Sequence, residues 1–320
     1  MTRSKAFIRP PRLSPGARVA IVAPSAPCLD LDDFTRADEL CRALGWEPRP
    51  GRHLRDRSGY LAGTDADRLA DLNDALRDDG IDGIWCIRGG YGMTRILDGL
   101  ALDAVRRRPK PIIGYSDITA LLNGVTGATG VVTFHGPTAR APMPPFSRRH
   151  FARVLTSPTA AGRLEPLALT DVLVPRQDRI VPLVPGRAEG PLFGGNLSLL
   201  QCLVGTPWLP SLDGAILFLE DVGEALYRVD RMLAHLRSAG TLARLAGVVV
   251  GRFTEMKREM SDGVFGFDEV LLHYFGPLGI PVVCGVPVGH IPDQWTLPLG
   301  VRARLDAGTG ELELLEPAVQ

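Results

Sequence analysis

Three stretches of the chain carry residue types suited to acyl transfer. The first is the run KPIIGYSDITALLNG, residues 110–124. Ser116 stands there between a short apolar run, 111–113, and a segment, 117–122, that reads as the first turns of a helix. A serine on a sharp strand-to-helix turn holds its hydroxyl clear of the backbone. The free N–H groups beside it can hold an anion, including the oxyanion of a tetrahedral intermediate. The G-x-S-x-G elbow is matched only in part, because Ile118 takes the last position. Ser116 and Asp117 equally suit a plain helix cap. The second stretch is Glu220-Asp221, at the carboxyl end of an apolar strand over 215–219, with Glu224 in the turn beyond. A carboxylate there can orient a histidine through its N–H; acids so placed also simply favour a helix dipole. The third is His290, in a Gly-His-Ile-Pro loop after an apolar strand, well placed to take and return a proton.

His135 follows a strand over 130–134 and is the rival base or a pocket residue. His53, His150, His235 and His273 fall in polar loops or on helix faces and receive no role. Arg88-Gly89-Gly90-Tyr91-Gly92 lies between a strand and a helix start, where glycines let backbone N–H groups approach a ligand. It does not match G-x-G-x-x-G. It reads as a second oxyanion donor or as a tight turn. The order serine, acid, histidine decides little, since the same constellation recurs on unrelated folds in other orders.

The elements that must position these residues alternate. Strands are expected over 18–24, 46–50, 81–87, 111–113 and 130–134. Helices are expected over 31–44 and 64–77, where apolar residues recur at helical spacing, and another begins at 93–97. Alternation of this kind implies a mostly parallel sheet with helices on both faces, and ligands bind at the carboxyl ends of such strands. Ser25, Gly89-Gly90, Ser116 and His135 would share that edge. Residues 141–149 are proline-rich and basic and read as a linker or surface excursion. Beyond Arg163 short strands are expected over 167–173, 180–183 and 187–192, then Gly194-Gly195-Asn196 and a helix over 197–204. Strands over 246–251 and 280–283, helices over 227–239 and 267–275, and a terminal hairpin over 302–315 complete the reading.

The 320 residues leave room for two domains. With 45% hydrophobic and 22% charged residues the balance is that of an ordinary globular protein. The formal net charge is zero, which favours neither nucleic acid nor an anionic membrane as partner. Five scattered cysteines, with no C-x-x-C pair, argue against a disulfide framework and against a zinc site. No apolar leader and no run long enough to span a membrane is seen, so the expected compartment is the cytoplasm.

Taken together, the chain resembles the LD-carboxypeptidase family, serine peptidases of peptidoglycan recycling that include the microcin C immunity proteins. The resemblance runs from VAIVAPS at 19–25 to about Gly300. It is carried by RGGYG (88–92), GYSD (114–117), FHGP (134–137), GPLFGGNLSLL (190–200), LFLEDVGE (217–224), YRVDRML (227–233) and GHIPDQWTLPLG (289–300). It implies an α/β fold: an N-terminal Rossmann-like parallel-sheet domain carrying the nucleophile, and a smaller C-terminal α/β domain carrying the acid and the base. The expected division is 1–145, a linker and substrate-loop region over 146–186, and 187–320. It implies a triad of Ser116, Glu220 and His290, with the backbone N–H groups of Asp117 and Gly90 as oxyanion hole. No metal or cofactor is implied, and a homodimer is expected. The implied reaction removes the terminal D-alanine of the cytoplasmic murein tetrapeptide, L-Ala-D-Glu-meso-diaminopimelate-D-Ala. The alternative is cleavage of peptide–nucleotide conjugates, for which Trp208 and Trp295 are the candidate stacking surfaces. Arg88 is the expected contact for the anionic peptide, with His135 beside it. Arg228, Asp230 and Arg231 are expected to tie the two domains together.

Overall fold

The structure, a computed structural model, describes residues 7–168, 179–257 and 266–320. Strands β1 (Arg18–Val22), β2 (Glu47–Pro50), β3 (Gly83–Cys86), β4 (Ile112–Gly114) and β5 (Thr133–His135) pair in parallel in the order β5-β4-β3-β1-β2. The order reverses between β1 and β3, the kind of switch point at whose carboxyl edge open α/β sheets bind ligands. Helices α1 (Asp32–Ala43), α2 (Asp65–Arg77), α3 (Leu102–Arg107) and α4 (Thr119–Thr129) connect the strands. The start of α2 is fixed by a capping box. The Thr64 hydroxyl accepts the Asp67 N–H, and the Asp67 carboxylate reaches back to the Thr64 N–H. Every residue of α4 from Thr119 to Thr126 is buried, because this helix touches both halves of the molecule. Asn123 Nδ2 donates to the Gly194 carbonyl at 2.9 Å, and Thr119 Oγ1 accepts the Asn196 N–H at 3.0 Å. The Gly-Gly-Asn landmark is therefore where the second half grips the helix that follows Ser116.

The helix expected from Met93 is instead two 3₁₀ turns, Met93–Arg95 and Leu97–Gly99. The Met93 N–H is held by the Asp117 carboxylate at 2.8 Å, which fixes the chain in a turn. The region read as a linker contains a helix, α5 (Pro145–Thr156), opened by a proline in its first turn. Its Phe151 ring lies 5.2 Å from Trp85 and 5.9 Å from Trp46, so it packs on the first sheet.

Eight strands form the second sheet: β6 (Gly162–Arg163), β7 (Val181–Val184), β8 (Arg187–Asn196), β9 (Ile216–Val222), β10 (Gly247–Thr254), β11 (Val282–Cys284), β13 (Arg302–Asp306) and β14 (Glu311–Leu314). The parallel run β8-β9-β10-β11 is its centre, with antiparallel strands on both flanks. Helices α6 (Leu197–Leu203), α7 (Leu226–Ser238) and α8 (Phe267–Phe275) belong to this half. The strand expected over 167–173 lies outside the described residues from 169 onward. An unforeseen strand, β12 (Leu297–Leu299), joins the first sheet antiparallel to β5, with Leu297 opposite His135. Three residues around a proline carry no readable alternation, yet β12 anchors the chain just after His290 to the sheet that carries Ser116.

Candidate active site

Ser116 has φ 66°, one of two non-glycine residues at positive φ among the described residues. Such backbone costs about 1–3 kcal/mol and persists only where the surroundings over-determine it. Here they do. A Cβ on Gly89 would stand 2.7 Å from Ser116 Cβ and 3.1 Å from the Asp117 nitrogen, so the glycine turn lies directly against the elbow. Ser116 opens a 3₁₀ turn, Ser116–Ile118, that runs into α4. The first N–H groups of such a turn have no partner within it. The Gly90 N–H has no acceptor among the described residues. Two sets of free donors thus flank the hydroxyl.

The Asp117 side chain braces this edge from within. It is buried, and its Oδ2 accepts the Ser25 hydroxyl at 2.6 Å and the Met93 N–H at 2.8 Å. Burial raises its carboxyl above the usual range, against the pull of those hydrogen bonds. Beneath it the buried guanidinium of Arg68 donates to the Pro24 and Gly92 carbonyls. The loops after β1 and β3 are in this way clamped to one another and to the elbow. No periodicity or motif marked Arg68 or the Ser25 hydroxyl for this work.

The acid and the base come from the other half. The strand β9 runs on to Val222, so Glu220 and Asp221 lie within it and not at its end. Alternation then sends them to opposite faces. Asp221 accepts from Asn196 Nδ2 at 2.8 Å, the Ser198 N–H at 3.0 Å and the Ser198 hydroxyl at 2.7 Å, and so fixes the start of α6. Glu220, fully buried, meets His290, with Oε2 2.8 Å from Nδ1. Glu224 faces Arg228 at 3.8 Å and takes no part in this contact. The approach needs Gly289, at φ 122°, where a Cβ would stand 2.9 Å from Glu220 Cβ. Helix α5 pins the far side of the loop. Ser147 Oγ donates to the Pro292 carbonyl and accepts the Gln294 N–H, each at 2.8 Å.

Burial alone would push His290 down, but its hydrogen bond to Glu220 and the charge of that carboxylate prevail and leave it above 6.5. Burial raises Glu220, offset in part by His290. With Glu220 on Nδ1, the neutral imidazole carries its proton there and keeps Nε2 as the acceptor. Nε2 has no hydrogen-bond partner among the described residues, and neither has the Ser116 hydroxyl. The two are linked through Tyr115, whose ring meets the His290 ring edge-on at 4.9 Å. The arrangement is chemically that of a hydroxyl, a base with a free nitrogen, and an orienting acid.

Arg88 Nη1 donates to the Pro27 carbonyl at 2.6 Å. His135 is fully buried behind Tyr115, and its imidazole is out of reach of solvent. Burial pushes it down to about 3. Trp295 is buried, with Nε1 donating to the Glu165 carbonyl, and Trp208 donates to Asp98 at 2.8 Å with its ring packed over Gly124. Neither is a free stacking surface. Asp230 accepts the Tyr274 hydroxyl and Arg231 lies over the Tyr227 ring, both within the C-terminal half, so neither bridges the halves through these contacts. All five cysteines are free thiols. Among the described residues no helix is long and apolar enough to cross a membrane.

The chain is similar to known proteins over most of its length. Residues 19–136 match the LD-carboxypeptidase N-terminal domain and residues 189–305 the LD-carboxypeptidase C-terminal domain. A putative carboxypeptidase of Streptomyces coelicolor is 39% identical, over 98% of each chain. The murein tetrapeptide carboxypeptidase of Pseudomonas aeruginosa is 34% identical, over 90% of this chain and 93% of its own. Among solved structures, the microcin C7 self-immunity protein, known from Escherichia coli, superposes with a TM-score of 0.86 at 26% identity, over 98% of this chain and 100% of its own.

Proposed function

The chain belongs to the LD-carboxypeptidase family, and on that premise we propose that it is a cytoplasmic serine carboxypeptidase of peptidoglycan recycling, which releases the terminal D-alanine of murein tetrapeptide. The observation that carries the reading is the Glu220–His290 hydrogen bond beside a strained serine elbow. Ser116 Oγ attacks the last peptide carbonyl while His290 Nε2 takes its proton. Glu220 holds the imidazole in the required tautomer and stabilises its cation. The N–H groups of Asp117 and Gly90 receive the oxyanion. His290 then protonates the amine of the departing D-alanine, leaving the peptide as an ester on Ser116. Water, deprotonated by His290, breaks that ester and restores the hydroxyl. Arg88, tethered at one nitrogen by Pro27, offers its other N–H groups to the anionic peptide.

A second reading rests on the likeness to the microcin C7 self-immunity protein, which has been solved in complex with aspartyl sulfamoyl adenosine. The same residues would cleave an aminoacyl–nucleoside conjugate. The higher identity to carboxypeptidases, and the engagement of Trp208 and Trp295 elsewhere, favour the murein peptide. Parallel turnover assays on murein tetrapeptide and on aspartyl sulfamoyl adenosine decide between the two. The first reading expects kcat/KM to be higher on the tetrapeptide, and the reverse order would replace it with the second.

A further inference from the structure

The base of the site sits in a loop of one half of the molecule and the nucleophile on an elbow of the other. One side chain spans them. Tyr115 immediately precedes Ser116, in extended backbone at φ −153° and ψ −174°, and its ring edge meets the His290 ring at 4.9 Å and 61°. Behind it, at 6.0 Å, is the His135 ring, which in turn meets Phe218 at 5.1 Å. Phe218 lies on β9 two residues before Glu220, so the column closes on the strand that holds the acid. Glu220 fixes His290 at one atom, Nδ1, and a single hydrogen bond leaves the ring free to rock about it. The Tyr115 hydroxyl has no hydrogen-bond partner among the described residues, so the phenyl ring is the part that makes contact.

We propose that Tyr115 is a positioning residue: its ring locks the His290 imidazole against rotation about the Glu220 hydrogen bond and so keeps Nε2 aimed at the hydroxyl of the adjacent Ser116. The inference rests on the reading of Ser116 and His290 as nucleophile and base. Contact by the ring and not the hydroxyl makes Tyr115→Phe and Tyr115→Leu the informative pair. Tyr115→Phe keeps the ring and is expected to retain kcat on murein tetrapeptide within about threefold. Tyr115→Leu keeps an apolar side chain but loses the planar edge. It is expected to lower kcat about 10- to 100-fold, the cost of a small misplacement of a reacting group, with KM little changed. A second readout is independent of turnover. In protein labelled with 15N-histidine, the Nδ1 proton of His290, assigned by its loss in His290→Gln, is expected to be sharp in the wild type and in Tyr115→Phe. It is expected to broaden in Tyr115→Leu. An unchanged line and wild-type kcat in Tyr115→Leu overturn the proposal, and so does an equal loss in both variants, which would assign the work to the hydroxyl. Should the wild type release no D-alanine, the proposed reaction fails by itself, and the histidine line still decides whether the ring is locked.

Discussion

Among the described residues, two histidines meet a carboxylate through Nδ1 at the same distance. His290 Nδ1 lies 2.8 Å from Glu220, and His53 Nδ1 lies 2.8 Å from Asp71. The two differ in everything around that contact. Asp71 also accepts the backbone N–H of His53 at 2.8 Å, and His53 Nε2 faces a second acid, Asp67, at 3.7 Å. His53 thus stands between two acids of α2, and its contact with Asp71 fastens the loop after β2 to that helix. Glu220 is fully buried, and the second nitrogen of His290 is left open beside the elbow. An oriented imidazole is therefore no sign of catalysis by itself. The distinguishing features are a free Nε2 and a serine held in strained backbone next to it.

The comparison breaks if the two pairs respond alike. His290→Gln and Glu220→Gln are each expected to lower kcat on murein tetrapeptide by about 10³- to 10⁴-fold, as loss of a triad member does elsewhere. His53→Gln in the same assay should leave kcat unchanged. A smaller loss is expected from Gly89→Ala, whose methyl group would stand 2.7 Å from Ser116 Cβ and displace the donor turn. About 10²- to 10³-fold in kcat, with native stability, is the outcome for a disturbed oxyanion hole.

The pH dependence sharpens the contrast further. A base must be neutral to act, and His290 is held above 6.5, so kcat/KM should rise with pH along a limb centred above 6.5. In Glu220→Gln the two largest raising influences go while burial and the weaker pull of Asp221 and Glu255 remain, so the limb of the residual activity should move to lower pH than in the wild type. For His53 the readout is stability. Its acid neighbours raise it above 6.5, so its contribution is fully present below the unfolded value and is lost as pH rises through the folded one. Thermal melts of His53→Gln should fall below wild type at pH 5 and converge with it well above neutrality. The smallest effect is expected at His135. Both its ring nitrogens are buried without a partner among the described residues, so His135→Phe should be close to neutral in melting temperature and in kcat.

Much of this was readable in the chain because the information is local. Helix α8 falls at the expected residues, and the five parallel strands of the first sheet lie within or beside their expected ranges, since apolar spacing and glycine stops declare them. Ser116, Glu220 and His290 stood out as residue types in telling places. Spacing alone did not choose between Glu220 and Asp221; that needed the strand to continue to Val222, so that alternation separates their faces. Helix α5 was hidden by its prolines, although Phe146, His150, Phe151, Val154 and Leu155 carry a helical stripe. What no local pattern shows is the bracing. Ser25 and Asp117 are 92 residues apart in the chain, Ser147 and Gln294 147 apart, and Arg68 acts through backbone carbonyls that any residue could supply.

The central claim is that Ser116 is the nucleophile of a reaction that frees D-alanine. Purified wild type and Ser116→Ala are incubated with murein tetrapeptide, and free D-alanine is followed by mass spectrometry. The account predicts release by the wild type and a loss of about 10⁴-fold or more in Ser116→Ala. Release by Ser116→Ala at the wild-type rate would contradict it and remove the hydroxyl from the mechanism.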